Sequence, residues 1–189
     1  MDKKKRIIIG VSGASGAPLA VTMLQQLHAR EDVETHLIVT KSGAMTLTQE
    51  TALTLGQLQA LADVCYENDE IGAAPASGSF RTIGMIVVPC SMKTVAGINA
   101  GYSDSLLLRA ADVMLKERRK LVLVARETPL STLHLKNLYE VSQLGAIVMP
   151  PVPAWYRNPD SLEACVQDTV DRILSQFDLD QEAYEWGGM

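Results

Sequence analysis

The stretch Arg6-Ile7-Ile8-Ile9-Gly10-Val11-Ser12-Gly13-Ala14-Ser15-Gly16 decides the fold of this chain. An apolar, β-branched run gives way to a cluster of glycine, alanine and serine, and a stretch of helical period begins at Ala17. That order reads as a buried strand, a tight turn and a helix. Working outward, apolar runs at 34–39, 85–89, 121–124 and 146–149 read as further strands, and 17–29, 44–50, 54–62 and 131–144 as helices. Leu106, Ala110, Val113 and Met114 recur at helical spacing, as do Leu162, Val166, Val170, Ile173 and Phe177, with polar residues on the opposite faces. Strands alternating with amphipathic helices predict an α/β fold, a Rossmann-like or flavodoxin-like doubly wound parallel sheet with helices on both faces in three layers.

Such sheets bind ligands beyond the carboxyl ends of their strands. The turn at 13–16 follows the first strand, Thr40 and Lys41 the second, and Ser91-Met92-Lys93-Thr94 the third. Arg126-Glu127 follows the fourth strand and a proline-rich turn with Trp155 and Tyr156 the fifth. Small, hydroxyl-bearing and charged residues therefore converge on one edge. Residues 67–82, with Gly72, Pro75 and Gly78 and little periodicity, read as a long loop of the kind that carries function.

The 189 residues suit one domain spanning 1–189, with 180–189 as a polar C-terminal tail. Hydrophobic residues at 47% and charged residues at 21% exclude disorder. A net charge of −5 and 5% aromatics argue against nucleic acid, which wants a basic surface and stacking platforms. No apolar run approaches the roughly 18 residues of a membrane span, and the run after Lys3, Lys4, Lys5 and Arg6 is too short for an export signal. Cys65, Cys90 and Cys165 are scattered and odd in number, which points to a reducing, cytoplasmic setting. His28, His36 and His134 have no ligand spacing, so no metal is expected.

The glycine-rich turn can seat a phosphate on the N–H groups opening the first helix, or can be a packing turn alone. Its spacing is not GxGxxG, the second strand ends in Thr40 rather than an acid, and GxxxxGK[ST] is absent, which favours a mononucleotide such as FMN over NAD or ATP. Ser91 serves either as a ligand hydroxyl or as a helix cap, with Lys93 either a ligand or solvated. The charged run 116–120 reads mostly as a solvated helix end. Arg109, set among Leu106, Leu107, Leu108 and Ala110, calls for an anionic partner or ligand. Arg126 and Glu127 form either a surface ion pair or part of the ligand edge, and Trp155 and Tyr156 either packing or an aromatic wall. Cys90 lacks a nearby histidine and reads as a buried thiol, not a nucleophile.

With these residues placed, the chain resembles the UbiX family of flavin prenyltransferases along nearly its whole length. The resemblance rests on GVSGASG (10–16), SGSF (77–80), PCSMKT (89–94), RAADVMLKE (109–117), RETPL (126–130) and MPPVPAWY (149–156). Trp155 departs from the phenylalanine typical there, and Asn99 from the usual small residue or histidine. The resemblance implies transfer of a dimethylallyl group from dimethylallyl monophosphate to N5 and C6 of reduced FMN, the product serving a UbiD-like decarboxylase. It further implies a homododecamer with sites between subunits and no metal. By matching motif, Gly13, Ala14, Ser15, Thr40, Ser91, Met92, Lys93, Thr94 and Arg126 would hold FMN. Arg109, Lys116, Tyr156 and Arg172 would grip the donor phosphate. Glu127 would act as acid with Glu50 assisting, Ser15 would lie near the reacting flavin edge, and Trp186 would face the allyl group. Alternatives are a non-catalytic carrier of FMN or prenyl-FMN, which would need no second phosphate site, and an aromatic acid decarboxylase subunit.

Overall fold

The computed structural model describes residues 4–180 and 187–188. Six parallel strands run in the order β3-β2-β1-β4-β5-β6: β1 Lys5–Val11, β2 Val33–Val39, β3 Val64–Glu67, β4 Gly84–Cys90, β5 Lys120–Ala125 and β6 Ile147–Val148. The helices are α1 Ala17–His28, α2 Lys41–Glu50, α3 Leu55–Gln59, α4 Met92–Asn99, α5 Leu106–Lys116, α6 Thr132–Gln143 and α7 Leu162–Leu174.

The pleat sorts the apolar runs into two cores. Ile7, Ile9 and Val11 with Ile86, Val88, Val122 and Val124 pack under α1 and α7. Ile8, Met85, Val87, Leu121 and Leu123 pack under α4, α5 and α6. Continuous apolar strands are the consequence of being covered on both faces, and this gives the three layers expected from the sequence.

Five strands fall where the sequence predicts them. The sixth, β3, lies between the helix expected to end at 62 and the loop expected from 67, where no strand was expected. It is a short edge strand that pairs with β2 alone, and its residues alternate between half-buried and exposed. Without it the remaining strands would read as the flavodoxin order, and with it the sheet has the Rossmann order. The helix expected over 54–62 ends after Gln59, and the one expected to reach Phe177 ends at Leu174, continuing as a tight 3₁₀ turn. α2 starts earlier than expected, because Thr40 caps it by accepting from the Gly43 N–H at 3.0 Å. The stretch 67–82 is not a free loop. It holds a 3₁₀ turn at Ala74–Ala76 and lies along α5.

Candidate active site

The strand order reverses between β1 and β4, and their carboxyl ends are tied together there. Ser12, buried, donates from Oγ to the Pro89 carbonyl at 3.0 Å and accepts the Ser91 N–H at 2.8 Å. Ser91 in turn caps α4, its Oγ accepting from the Thr94 N–H at 3.3 Å and lying 3.0 Å from the Thr94 hydroxyl. Ser91 is thus a cap, and its hydroxyl stands half-buried on the ligand edge. The Met92 side chain is buried in the second core, which leaves its backbone as what it can offer a ligand. Thr94 is also buried, and Lys93 is exposed.

Close approach explains the glycines. A Cβ on Gly13 would stand 2.3 Å from Ser42 Cβ, so the turn after β1 lies directly on the start of α2. The N–H groups at the start of α1 do not wait for a phosphate, however. Glu50, at the end of α2, accepts from the Gly16 N–H at 2.8 Å and the Ala17 N–H at 2.9 Å, and Ser15 donates its hydroxyl to the same carboxylate. The expectation of a phosphate at that helix start is therefore corrected: a carboxylate of this chain occupies it, as the partial positive charge of a helix start favours. Burial works to raise the Glu50 pKa, but the bonds from Ser15, Gly16 and Ala17 and the charge of Arg126 outweigh it and hold the carboxyl below its ordinary value. Glu50 is thereby suited to accept a proton and to orient Ser15, not to donate as an acid.

Arg126 and Glu127 leave β5 exposed on this edge. They do not act mainly on each other: Arg126 bears on Glu50, and Glu127 accepts from the Thr128 N–H at 3.1 Å. Trp155 and Tyr156 form a 3₁₀ turn with both rings largely exposed. A cleft of about 630 Å³ opens beyond β2 and β3, with Val39, Thr40, Lys41, Met45, Glu67 and Asn68 on its walls.

The residues expected on the donor phosphate are not gathered in one chain. Arg109 lies on α5, half-buried, bonded to Asp112 at 2.6 Å and to the Ala76 carbonyl at 3.3 Å, so its anionic partner is an intrachain carboxylate. Lys116 ends α5 near the amino ends of the strands, since Lys120 pairs with Gly84 there, and its ammonium sits 2.5 Å from Glu117. Arg172, in the last turn of α7, donates to Ser175 at 3.1 Å under the opposite face of the sheet. Trp186 lies outside the described residues.

Two further arrangements escaped the sequence. Arg119, expected as part of a solvated helix end, is only 18% exposed and donates to the carbonyls of Phe80 at 2.7 Å and Gly78 at 2.6 Å. Asn99 ties α4 to α6 through Glu140 at 2.5 Å and Asn137 at 3.2 Å. Cys90 is buried, which pushes its thiol pKa up and away from nucleophile chemistry, as read.

The pattern of the family described as Flavoprotein matches residues 1–176. Among curated relatives, the flavin prenyltransferase UbiX of Escherichia coli (strain K12) is 51% identical over 173 residues, 92% of each chain. The chain belongs to the UbiX family of flavin prenyltransferases. Two solved UbiX-family structures superpose closely. A dodecameric FMN-dependent UbiX-like decarboxylase from Escherichia coli O157:H7 has a TM-score of 0.94 and 49% identity, over 97% of this chain and all of that one. AnUbiX, solved with FMN and dimethylallyl pyrophosphate, has a TM-score of 0.95 and 48% identity, over 99% of this chain and all of that one.

Proposed function

We propose that this protein is a flavin prenyltransferase that joins a dimethylallyl group to N5 and C6 of reduced FMN and supplies prenyl-FMN to a UbiD-like decarboxylase. The observation that carries the reading is its identity of about half to a named flavin prenyltransferase, spread along almost the whole length of both chains. The whole chain would work as one flavoprotein unit.

The residues of the switch-point edge fit a mononucleotide. Gly13 has no room for a side chain, Thr40 and Ser91 bring hydroxyls, and Arg126 brings a cation for a phosphate. With the start of α1 occupied by Glu50, the FMN phosphate belongs at the start of α4, with Ser91 and the backbone of Met92 and Lys93. Reduced FMN, when bound, supplies the nucleophilic ring atoms. Gly13, Ala14 and Ser15 lie against its reacting edge, with Glu50 orienting the Ser15 hydroxyl. Arg109, Lys116, Tyr156 and Arg172 grip the donor phosphate and stabilise the charge it gains as the allylic C–O bond breaks. Glu127 donates the proton that the departing phosphate takes up.

One chain spreads these phosphate-binding residues over both ends and both faces of the sheet, so the site we propose is completed by other copies. A homododecamer supplies such junctions, and the Escherichia coli O157:H7 relative is described as dodecameric. The donor we propose is dimethylallyl monophosphate, supported in its allyl group and phosphate by the pyrophosphate solved with AnUbiX. The setting we propose is the cytoplasm, in keeping with three free cysteines.

The test is anaerobic incubation of the full chain with reduced FMN and either the mono- or the diphosphate donor, followed by mass spectrometry of the released flavin. A gain of one dimethylallyl unit with free phosphate is expected, and flavin released unchanged overturns the reading. Glu127→Gln is expected to keep FMN binding and to slow transfer by about 10²-fold or more; turnover at the parent rate would remove Glu127 from its role. Carbon dioxide released from an aromatic acid without any partner protein would favour the decarboxylase alternative.

A further inference from the structure

We propose that the strap formed by residues 68–80, acting through Gly78, Phe80 and Arg119, is a positioning device for Lys116. This rests on the reading above, in which the Lys116 ammonium grips the donor phosphate. A connection of this length and ordinary loop sequence would be mobile, yet this one is fastened along α5 from end to end. The Asn68 backbone carbonyl and side-chain oxygen accept from the N–H groups of Leu106 at 2.8 Å and Leu107 at 3.1 Å, at the start of the helix. Arg109 holds the Ala76 carbonyl midway. At the far end Arg119 donates to both the Gly78 and Phe80 carbonyls.

Phe80 is anchored from both sides. The Arg6 guanidinium stands 5.0 Å over its ring, and the buried His36 ring meets it edge-on at 5.0 Å. His36 is itself fixed by Glu34 at 2.9 Å and the Tyr66 hydroxyl at 3.0 Å. Gly78 is thus pressed onto the end of α5. A Cβ there would lie 2.2 Å from Glu117 Oε1 and 2.8 Å from Lys116 Nζ. Arg119 Nη2 also reaches the other oxygen of Glu117 at 3.9 Å. Gly78 and Glu117 therefore flank the Lys116 ammonium on its own chain, leaving it open to solvent on the other side, and Arg119 holds both of them.

The functional consequence is entropic. A free lysine loses much of its rotamer freedom on gripping a phosphate. Lys116, already confined by the Gly78 backbone and Glu117, has less to lose when the donor arrives. Gly78, Phe80 and Arg119 touch neither donor nor flavin in this scheme. They set where the lysine stands.

The experiment is a double-mutant cycle on the full chain with Gly78→Ala and Lys116→Met, reading donor KM, kcat, FMN affinity and thermal stability. Gly78→Ala displaces only the tips of flexible side chains, so it is expected to fold, to bind FMN as the parent does, and to raise donor KM about tenfold. In the Lys116→Met background the same change is expected to do nothing more, because the group it displaces is gone. Arg119→Met should act through the same lysine, with Arg119→Lys restoring part of the loss. An unchanged donor KM in Gly78→Ala while Lys116→Met raises it overturns the positioning role, as does a full multiplication of the two effects. Lys116→Met with an unchanged donor KM instead overturns the phosphate role beneath it, and the two failures are told apart by that single variant.

Discussion

The turn at 13–16 and the turn at 77–80 are both rich in glycine and serine, and they are held in opposite ways. Around the first, main chain lies on main chain: a Cβ on Gly43, in the first turn of α2, would stand 2.6 Å from the Val11 carbonyl oxygen. Around the second, the atoms a Cβ on Gly78 would meet are the ends of Lys116 and Glu117. Backbone cannot retreat and side-chain tips can, so glycine at the switch point protects the fold, whereas glycine in the strap protects the placement of a charge.

The sharpest way to break this comparison is to add one methyl at each place. Gly43→Ala is expected to cost about 2–3 kcal/mol, the range of an overpacked core, read as a lower urea midpoint at unchanged slope. Gly78→Ala should cost about 0.5 kcal/mol or less, like most surface changes. Equal losses would show that the strap is packed as rigidly as the switch point.

The two regions also differ in how far the sequence reveals them. β4 and most of β1 and β5 announce themselves because strands covered on both faces are apolar nearly throughout. β2 shows itself through Leu37, Ile38 and Val39 after the polar Glu34, Thr35 and His36, and the Thr54–Gln57 capping box of α3 can be read from its residues alone. The gathering of Thr40, Ser91 and Arg126 on one edge follows from topology once the strands are known. β3 escapes because an edge strand of four residues, half exposed, has neither length nor pattern. Arg119 escapes for a different reason: its partners are backbone carbonyls, which every residue has and no sequence marks. Glu50 was chosen by resemblance, but its hold on Gly16, 34 residues away, is a matter of where α2 ends in space.

That hold gives a second, smaller test at the switch point. The Glu50 carboxyl is kept below its ordinary value of 4.5, so the unfolded chain takes up this proton before the folded one does. Its contribution to stability is complete above the ordinary value and drains away as pH falls through the lower folded one. Glu50→Gln keeps an oxygen for Gly16 and Ala17 without the charge, and is expected to lose about 1–2 kcal/mol at neutral pH. Unfolding midpoints of parent and variant should converge as the solution is acidified below pH 4.5. A constant gap across that range would mean that the charge of Glu50 contributes nothing and that its shape alone matters. No such acid dependence is expected of the strap's carbonyl contacts, whose acceptors do not titrate.

A small effect of opposite sign is expected where α5 meets the strap. The helix ends with Arg118 in the left-handed region at φ 53°, the Arg118 N–H bonding the Leu115 carbonyl and the Arg119 N–H the Met114 carbonyl at 2.8 Å. This is a Schellman ending with arginine where glycine is usual. A side chain in that region costs roughly 1–2 kcal/mol, and glycine would return part of the gain through its greater freedom in the unfolded chain, about 0.5–1 kcal/mol. Arg118→Gly is therefore expected to raise stability by about 0.5 kcal/mol, read as a higher urea midpoint. Because the main-chain path is kept, Arg119 should still reach Gly78 and Phe80, and donor KM should stay with the parent. If donor KM rises while stability improves, the exposed Arg118 charge takes part in drawing in the phosphate, and the strap's influence on Lys116 would have to be separated from it by repeating the Gly78→Ala cycle in the Arg118→Gly background.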